Sequence, residues 1–125
     1  MTSDELRIYI LDSYGLEADH PFPMDDDSCV YRHADNRKWF ALTMNIPYRT
    51  LGIGRSGNVD ILNIKCDPIL IGSFRAKQGF YPAYHMNKEK WLTVLLDGSA
   101  KTNDIKALVY MSYRLTASKR GAKLQ

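Results

Sequence analysis

The chain has 125 residues, a formal net charge of +3, 45% hydrophobic residues and 25% charged residues. That length suits one domain able to bury about two-thirds of its unfolded surface, and the composition excludes a disordered chain. No apolar run approaches the roughly 20 residues that span a bilayer, and Met1 to Arg7 is polar and acidic, unlike a secretory signal, so no membrane partner and a cytoplasmic location are expected.

The charge is unevenly spread. Residues 1–29 carry a net −7 and residues 30–125 a net +10. Such segregation suits a surface for a polyanion, and it equally suits solvated faces that differ in sign. No repeat, low-complexity tract or long linker divides the chain, so a single domain is expected over 1–125.

The first helix is predicted over Ser3 to Tyr14. Thr2 and Glu5 have the spacing of a capping box, Gly15 is placed to end the helix, and Leu6, Tyr9, Ile10 and Tyr14 form its buried stripe. Residues 15–27, with Pro21, Pro23 and three successive aspartates, read as an exposed loop. Ser28 to His33 and Lys38 to Met44 read as two strands joined at Asp35-Asn36. Arg49 to Gly54 and Asn58 to Lys65 read as a second hairpin, turning at Arg55 to Asn58.

Asp67-Pro68 is a strong helix start, because aspartate caps free N–H groups and proline suits the first helical position. That helix should reach Lys77 and bury Leu70, Ile71 and Phe74. Tyr81 to Met86 and Trp91 to Leu96 read as extended segments. The last helix is expected over Asn103 to Ser118, with Ile105, Leu108, Val109, Ser112 and Leu115 on one face. Residues 119–125 should fray. The order α-β-β-β-β-α-β-β-α predicts an α+β fold, an antiparallel sheet with helices packed on one face.

Several runs together resemble the MmcQ/YjbR family. They are Lys38-Trp39-Phe40-Ala41-Leu42, Leu62-Asn63-Ile64-Lys65-Cys66-Asp67-Pro68, Tyr84-His85-Met86-Asn87-Lys88 with Trp91, Thr93-Val94 and Leu96-Asp97-Gly98, and Ser112-Tyr113. The matches run in order over about residues 28–115. The resemblance implies a fold like the bacterial frataxin homologue CyaY, with a double-wing arrangement of hairpins and a DNA-binding label. The chain departs from shorter members in its long hairpin between Met44 and Leu62.

The candidate binding residues are Arg49, Arg55, Lys65, Tyr84, His85, Asn87, Lys88 and Lys90. Lysine and arginine neutralise phosphates, asparagine can meet a base edge or a phosphate oxygen, and aromatic rings stack on bases. Each has a plainer counterpart: Tyr84 as a core anchor, Asn87 and Lys88 as a turn cap, Lys65 as a stem covering the sheet edge. Asp19, Asp25, Asp26 and Asp27 are of the type that holds hard cations, but they lack an EF-hand pattern, and no motif carries over from frataxin. Cys29 and Cys66 lack metal-ligand spacing and read as buried thiols; a disulfide would require the fold to bring them together. Among His20, His33 and His85 there is no catalytic or metal spacing, and the glycines of 52–57 do not lead into a helix as a phosphate loop requires. The expected function is non-enzymatic binding by a monomer without a cofactor, with DNA as partner. The alternatives are a protein- or small-ligand-binding adaptor and, third, metal handling by the acidic segment.

Overall fold

A computed structural model describes residues 1–25 and 27–118; the tail expected to fray at 119–125 lies outside them. Along the chain run α1 (Ser3–Tyr14), β1 (Cys29–Arg32), β2 (Trp39–Pro47), a 3-10 turn (Tyr48–Leu51), β3 (Asn58–Lys65), α2 (Pro68–Arg75), β4 (Phe80–Pro82), β5 (Trp91–Leu95) and α3 (Thr102–Thr116). The five strands form one antiparallel sheet in the order β1-β2-β3-β5-β4. The expected α+β class holds.

Local chemistry sets the helix ends. Thr2 accepts from the Glu5 amide at 3.1 Å while the Glu5 carboxylate takes the Thr2 amide at 2.9 Å, the reciprocal capping box. Asp67 accepts from the Ile69 amide at 3.0 Å ahead of Pro68.

Three segments differ from expectation. Helix α2 ends at Arg75 rather than Lys77 and leaves Leu70 exposed. Residues 49–54 do not form a strand. Strand β2 runs on to Pro47 and itself pairs with β3, Pro47 opposite Asn58, so the connection is the whole loop 48–57 and opens with the 3-10 turn. The extended segment expected at 81–86 stops at Pro82, since proline has no N–H for the ladder and His85 sits at φ 56°, outside strand geometry.

Pairing register assigns the faces. Cys29, Tyr31, Ala41, Thr43, Leu62, Ile64, Leu92, Val94 and Phe80 share one side. Leu6 and Ile10 of α1, Ile71 of α2, and Ile105, Leu108 and Val109 of α3 pack against that side. A bulge between Tyr31 and Arg32 leaves Phe40 unpaired and turns it to the helices beside Ala41. Buried Ser112 then joins α3 to two strands: its hydroxyl donates to the Phe40 carbonyl at 2.6 Å and accepts from the Lys65 amide at 3.0 Å. Of the stripe expected on α3, Leu115 instead lies 43% exposed, and Thr116 takes the inward place.

Thr116 meets buried His33, with Nε2 and Oγ1 2.8 Å apart, and the His33 ring lies 4.3 Å from Tyr113 and 5.3 Å from Phe40. Burial lowers the affinity of His33 for a proton below its ordinary value, more than the nearby Asp35 charge raises it. The unfolded chain therefore binds this proton first. The His33 contribution to stability is complete above the unfolded value of about 6.5 and is lost as pH falls from there through the lower folded value. Thermal midpoints measured from about pH 7.5 down to about 5 should fall, and His33→Asn should flatten that slope. An NMR titration placing folded His33 at or above its unfolded value would contradict this account.

Candidate functional site

The sheet side opposite the helices is covered by loops. Ile46, Tyr48, Val59, Ile61 and Leu95 form a second apolar cluster there. Leu51 and Ile53 from the loop 48–57 pack on it, and so do Tyr81 and Tyr84 from β4 and the loop that follows. One cluster thus seats both loops on one side of the sheet.

The first loop carries Arg49 and Arg55, both exposed, which flank a depression of about 300 Å³ with Pro47, Ser56 and Gly57. The Arg55 guanidinium lies over the Tyr48 ring at 4.8 Å. Tyr48 is anchored by its hydroxyl, which donates to Asp97 at 2.8 Å, and that bond holds the phenol proton more tightly than usual.

The second loop, 83–90, is fixed by a buried polar circuit. The Tyr84 amide donates to Thr93 Oγ1 at 2.8 Å, the Thr93 hydroxyl donates to Asn63 Oδ1 at 2.5 Å, and Asn63 Nδ2 donates to the Tyr84 carbonyl at 2.9 Å. The His85 ring lies 4.0 Å from that of Tyr84, and its left-handed backbone is a point of strain in the loop. Asn87 proves to be a turn cap: Oδ1 accepts from the Glu89 amide at 2.8 Å and its carbonyl accepts from Trp91 at 2.9 Å. The Lys88 carbonyl accepts from Arg75 Nη2 of α2 at 2.7 Å, placing Lys88 at the border with that helix. Lys90 is exposed, and its carbonyl accepts from the Cys66 amide at 2.8 Å. Lys65 ends β3 opposite Trp91, and strand alternation points it to the loop-covered side.

The candidates therefore fall into two groups. Arg49 and Arg55 lie by the Asn58 end of β3, while Lys65, Lys88 and Lys90 lie by the Lys65 end. The eight-residue strand separates its two ends by roughly 23 Å. Among the described residues none of these five cations makes an ion pair. The ion pairs lie elsewhere: Asp19 holds Arg32 at 2.9 Å and Arg37 at 3.9 Å, and Asp104 holds Lys77 at 3.4 Å. Asp19 thus engages the two arginines of the first hairpin, while Arg49, Arg55, Lys65, Lys88 and Lys90 stay without an ion pair among the described residues.

Other expectations lie away from this surface. Among the described residues no group of three or more His, Cys, Asp or Glu is placed to share a metal ion, and no helix is long and apolar enough to cross a membrane. Asp25 turns its carboxylate on Ser28 and the Asp27 amide. Cys29 and Cys66 are free and buried, and burial pushes the Cys66 thiol up to about 11. Sequence reasoning passed over Asn63 and Thr93 as positioning residues. The signal available was a pair of polar residues interrupting two apolar strands.

The family model for YjbR matches residues 11–115. The chain belongs to the YjbR family. The uncharacterised protein YyaQ from Bacillus subtilis is 32% identical over 116 residues, covering 93% of this chain and 98% of its own. A crystal structure of a Pseudomonas syringae protein matches with a TM-score of 0.91 and 44% identity over 94% of this chain and 100% of that one. A Deinococcus radiodurans protein matches with a TM-score of 0.68 and 27% identity over 98% and 86%.

Proposed function

We propose that this YjbR protein is a non-enzymatic module, acting as a cytoplasmic monomer, that binds DNA through the loop-covered side of its sheet. The observation that carries the reading is the shared apolar cluster: Leu51 and Ile53 from one basic loop and Tyr84 from the other pack on the same residues. In a double-wing, CyaY-like description the two loops are the wings. A span of roughly 23 Å passes about 13 duplex phosphates, enough for both cation groups to find partners. Arg49 and Arg55 serve one end, Lys65, Lys88 and Lys90 the other, and Asn87 holds the turn that presents the lysines.

The test is a fluorescence-anisotropy titration with duplex DNA at about 50 mM salt and then at rising salt. Binding should weaken with a log–log slope no steeper than about −4.5, since each phosphate neutralised contributes about −0.9. Replacing Arg49, Arg55 and Lys88 together by glutamine should weaken binding about tenfold or more and lower the slope by up to about 3. No binding at tens of micromolar protein, or an unchanged slope in the triple variant, would remove the reading.

A second reading rests on α2, where Ile69 is 86% exposed next to Pro68 of a groove lined by Pro68, Ile71, Gly72 and Pro82, with Arg75, Lys88 and Glu89 at its border. An exposed apolar side chain next to such a groove suits a protein partner. Binding of DNA that is indifferent to Ile69→Ser separates the two.

A further inference from the structure

Tyr113, of the Ser112-Tyr113 pair, has no part in the DNA surface. It packs with Tyr14 on the helix-covered side of the sheet, where α1 and α3 meet. Tyr14 is in the last turn of α1, Tyr113 is in the last turn of α3, and their rings lie 4.8 Å apart. The C-terminal ends of both helices therefore come to one place. There Ser13, Tyr14, Tyr110 and Tyr113 line a pocket of about 420 Å³, within the range of small-molecule sites. Three of the four lining side chains are phenol rings, and none is charged.

Part of the wall is fixed from behind. The Tyr113 ring meets Phe40 edge-on at 5.1 Å and His33 at 4.3 Å, and Tyr14 lies 6.1 Å from Phe40. Tyr110 differs. It is 51% exposed, and among the described residues its ring packs on no other ring; Arg114 is its cation contact, at 6.0 Å. Much of its aromatic surface is thus free for a ligand.

The pocket attracts positive charge. A helix C-terminus carries free carbonyls and about half a negative charge. Arg114 answers that charge at the end of α3, whereas the last turn of α1 has no basic residue. His33 behind the wall adds no positive charge near neutral pH, because burial holds its proton affinity below the ordinary value. Aromatic faces are themselves electronegative, and in the adjoining Tyr9 one already draws Lys106 to 4.9 Å. No carboxylate lines the pocket, however. A primary ammonium would give up its water and find too few acceptors for its three N–H groups. A quaternary ammonium has no N–H to satisfy. We infer that this pocket binds a small quaternary ammonium compound, its trimethylammonium group seated against the rings of Tyr14, Tyr110 and Tyr113 at the end of α1.

The probe is choline, followed by the amide chemical shifts of Ser13, Tyr14, Tyr110 and Tyr113 at constant ionic strength and about pH 7.5, where His33 is neutral. The control is its uncharged isostere dimethylbutanol, in which carbon replaces the nitrogen. Choline should shift these amides saturably with a Kd of about 1–10 mM, and the alcohol should bind about tenfold more weakly, the factor that cation–π attraction from two or three rings supplies. Tyr110→Leu removes an exposed ring and leaves the core intact; it should erase most of the preference for choline, and Tyr110→Phe should keep it. No saturation by about 20 mM choline, equal binding of the two probes, or a preference unchanged in Tyr110→Leu would overturn the assignment. The basic loops lie on the other side of the sheet, so choline binding and DNA binding stand or fall separately.

Discussion

Gly79→Ala should destabilise the protein by about 2–5 kcal/mol, read as a drop in the urea midpoint at unchanged slope. Gly79 joins α2 to β4 with φ at 89°, a conformation that side chains resist. It also has no room. A Cβ there would lie 2.6 Å from the Ala100 backbone nitrogen, 2.8 Å from its Cβ and 2.9 Å from its Cα. Ala100 is 3% exposed just before α3, so relief requires the start of that helix to move. The Gly79 carbonyl meanwhile accepts from the Leu95 amide at 2.8 Å, which ties the same point to β5. Gly98→Ala is the internal control. Its φ is 90°, but nothing lies within 4 Å of the added carbon, so only the conformational part, about 1–2 kcal/mol, should appear. Equal losses at the two glycines would show that the contact with Ala100 costs nothing.

Gly79 also shows where sequence reading stops. A turn after α2 was legible at Gly79, because glycine beyond a helical stripe is a local signal, although the helix itself ends at Arg75 with its cap at Ala76. The contact of Gly79 with Ala100 was not, because that depends on how α3 returns to the sheet. The same division runs through the fold. Thr2 with Glu5 and Asp67 with Pro68 stated their helix starts outright, since caps act within one turn. The stripe Ile105, Leu108, Val109 and Ser112 was read from period alone. The segment 49–54 misled because its apolar residues Leu51 and Ile53 pack from a loop onto the sheet rather than pairing in it. Burial without strand pairing leaves the same trace in a sequence as an edge strand.

The candidate surface was legible only in part. The residue types of Arg49, Arg55, Lys65, Lys88 and Lys90 were visible, but which cations stay unpaired was not. Asp19 lies far from Arg37 in sequence and reaches it only because residue 19 bridges to Val30 beside β1. Asn87 read as either a ligand-facing amide or a turn cap, and the bonds it accepts from the Glu89 and Trp91 amides make it the cap. The pocket at Tyr14 was invisible to any linear reading, since it gathers residues from α1 and α3.

Asn63→Ala should cost about 2–5 kcal/mol and loosen the loop 83–90 together with the fold. Asn63 is fully buried in β3, and its amide supplies two of the three bonds in the circuit through Thr93 and Tyr84. Truncation leaves the Tyr84 carbonyl and the Thr93 hydroxyl proton without partners, in a setting where each orphan costs about 1–3 kcal/mol. The mechanism has a signature that simple cavity formation lacks. Thr93→Val breaks the same circuit from the other side, stranding the Tyr84 amide and Asn63 Oδ1. Once one member is gone the second has less to lose, so the double variant should be more stable than the sum of the singles predicts, by about 1 kcal/mol or more. Hydrogen exchange at the Tyr84 amide should rise in either single variant before the global transition, because that amide is held by Thr93 alone. Under the DNA proposal the same variants should weaken binding while leaving its salt slope unchanged, since the lysines persist and only their presentation is lost. Additive stability losses with Tyr84 exchange tracking global unfolding would reduce Asn63 to an ordinary buried residue.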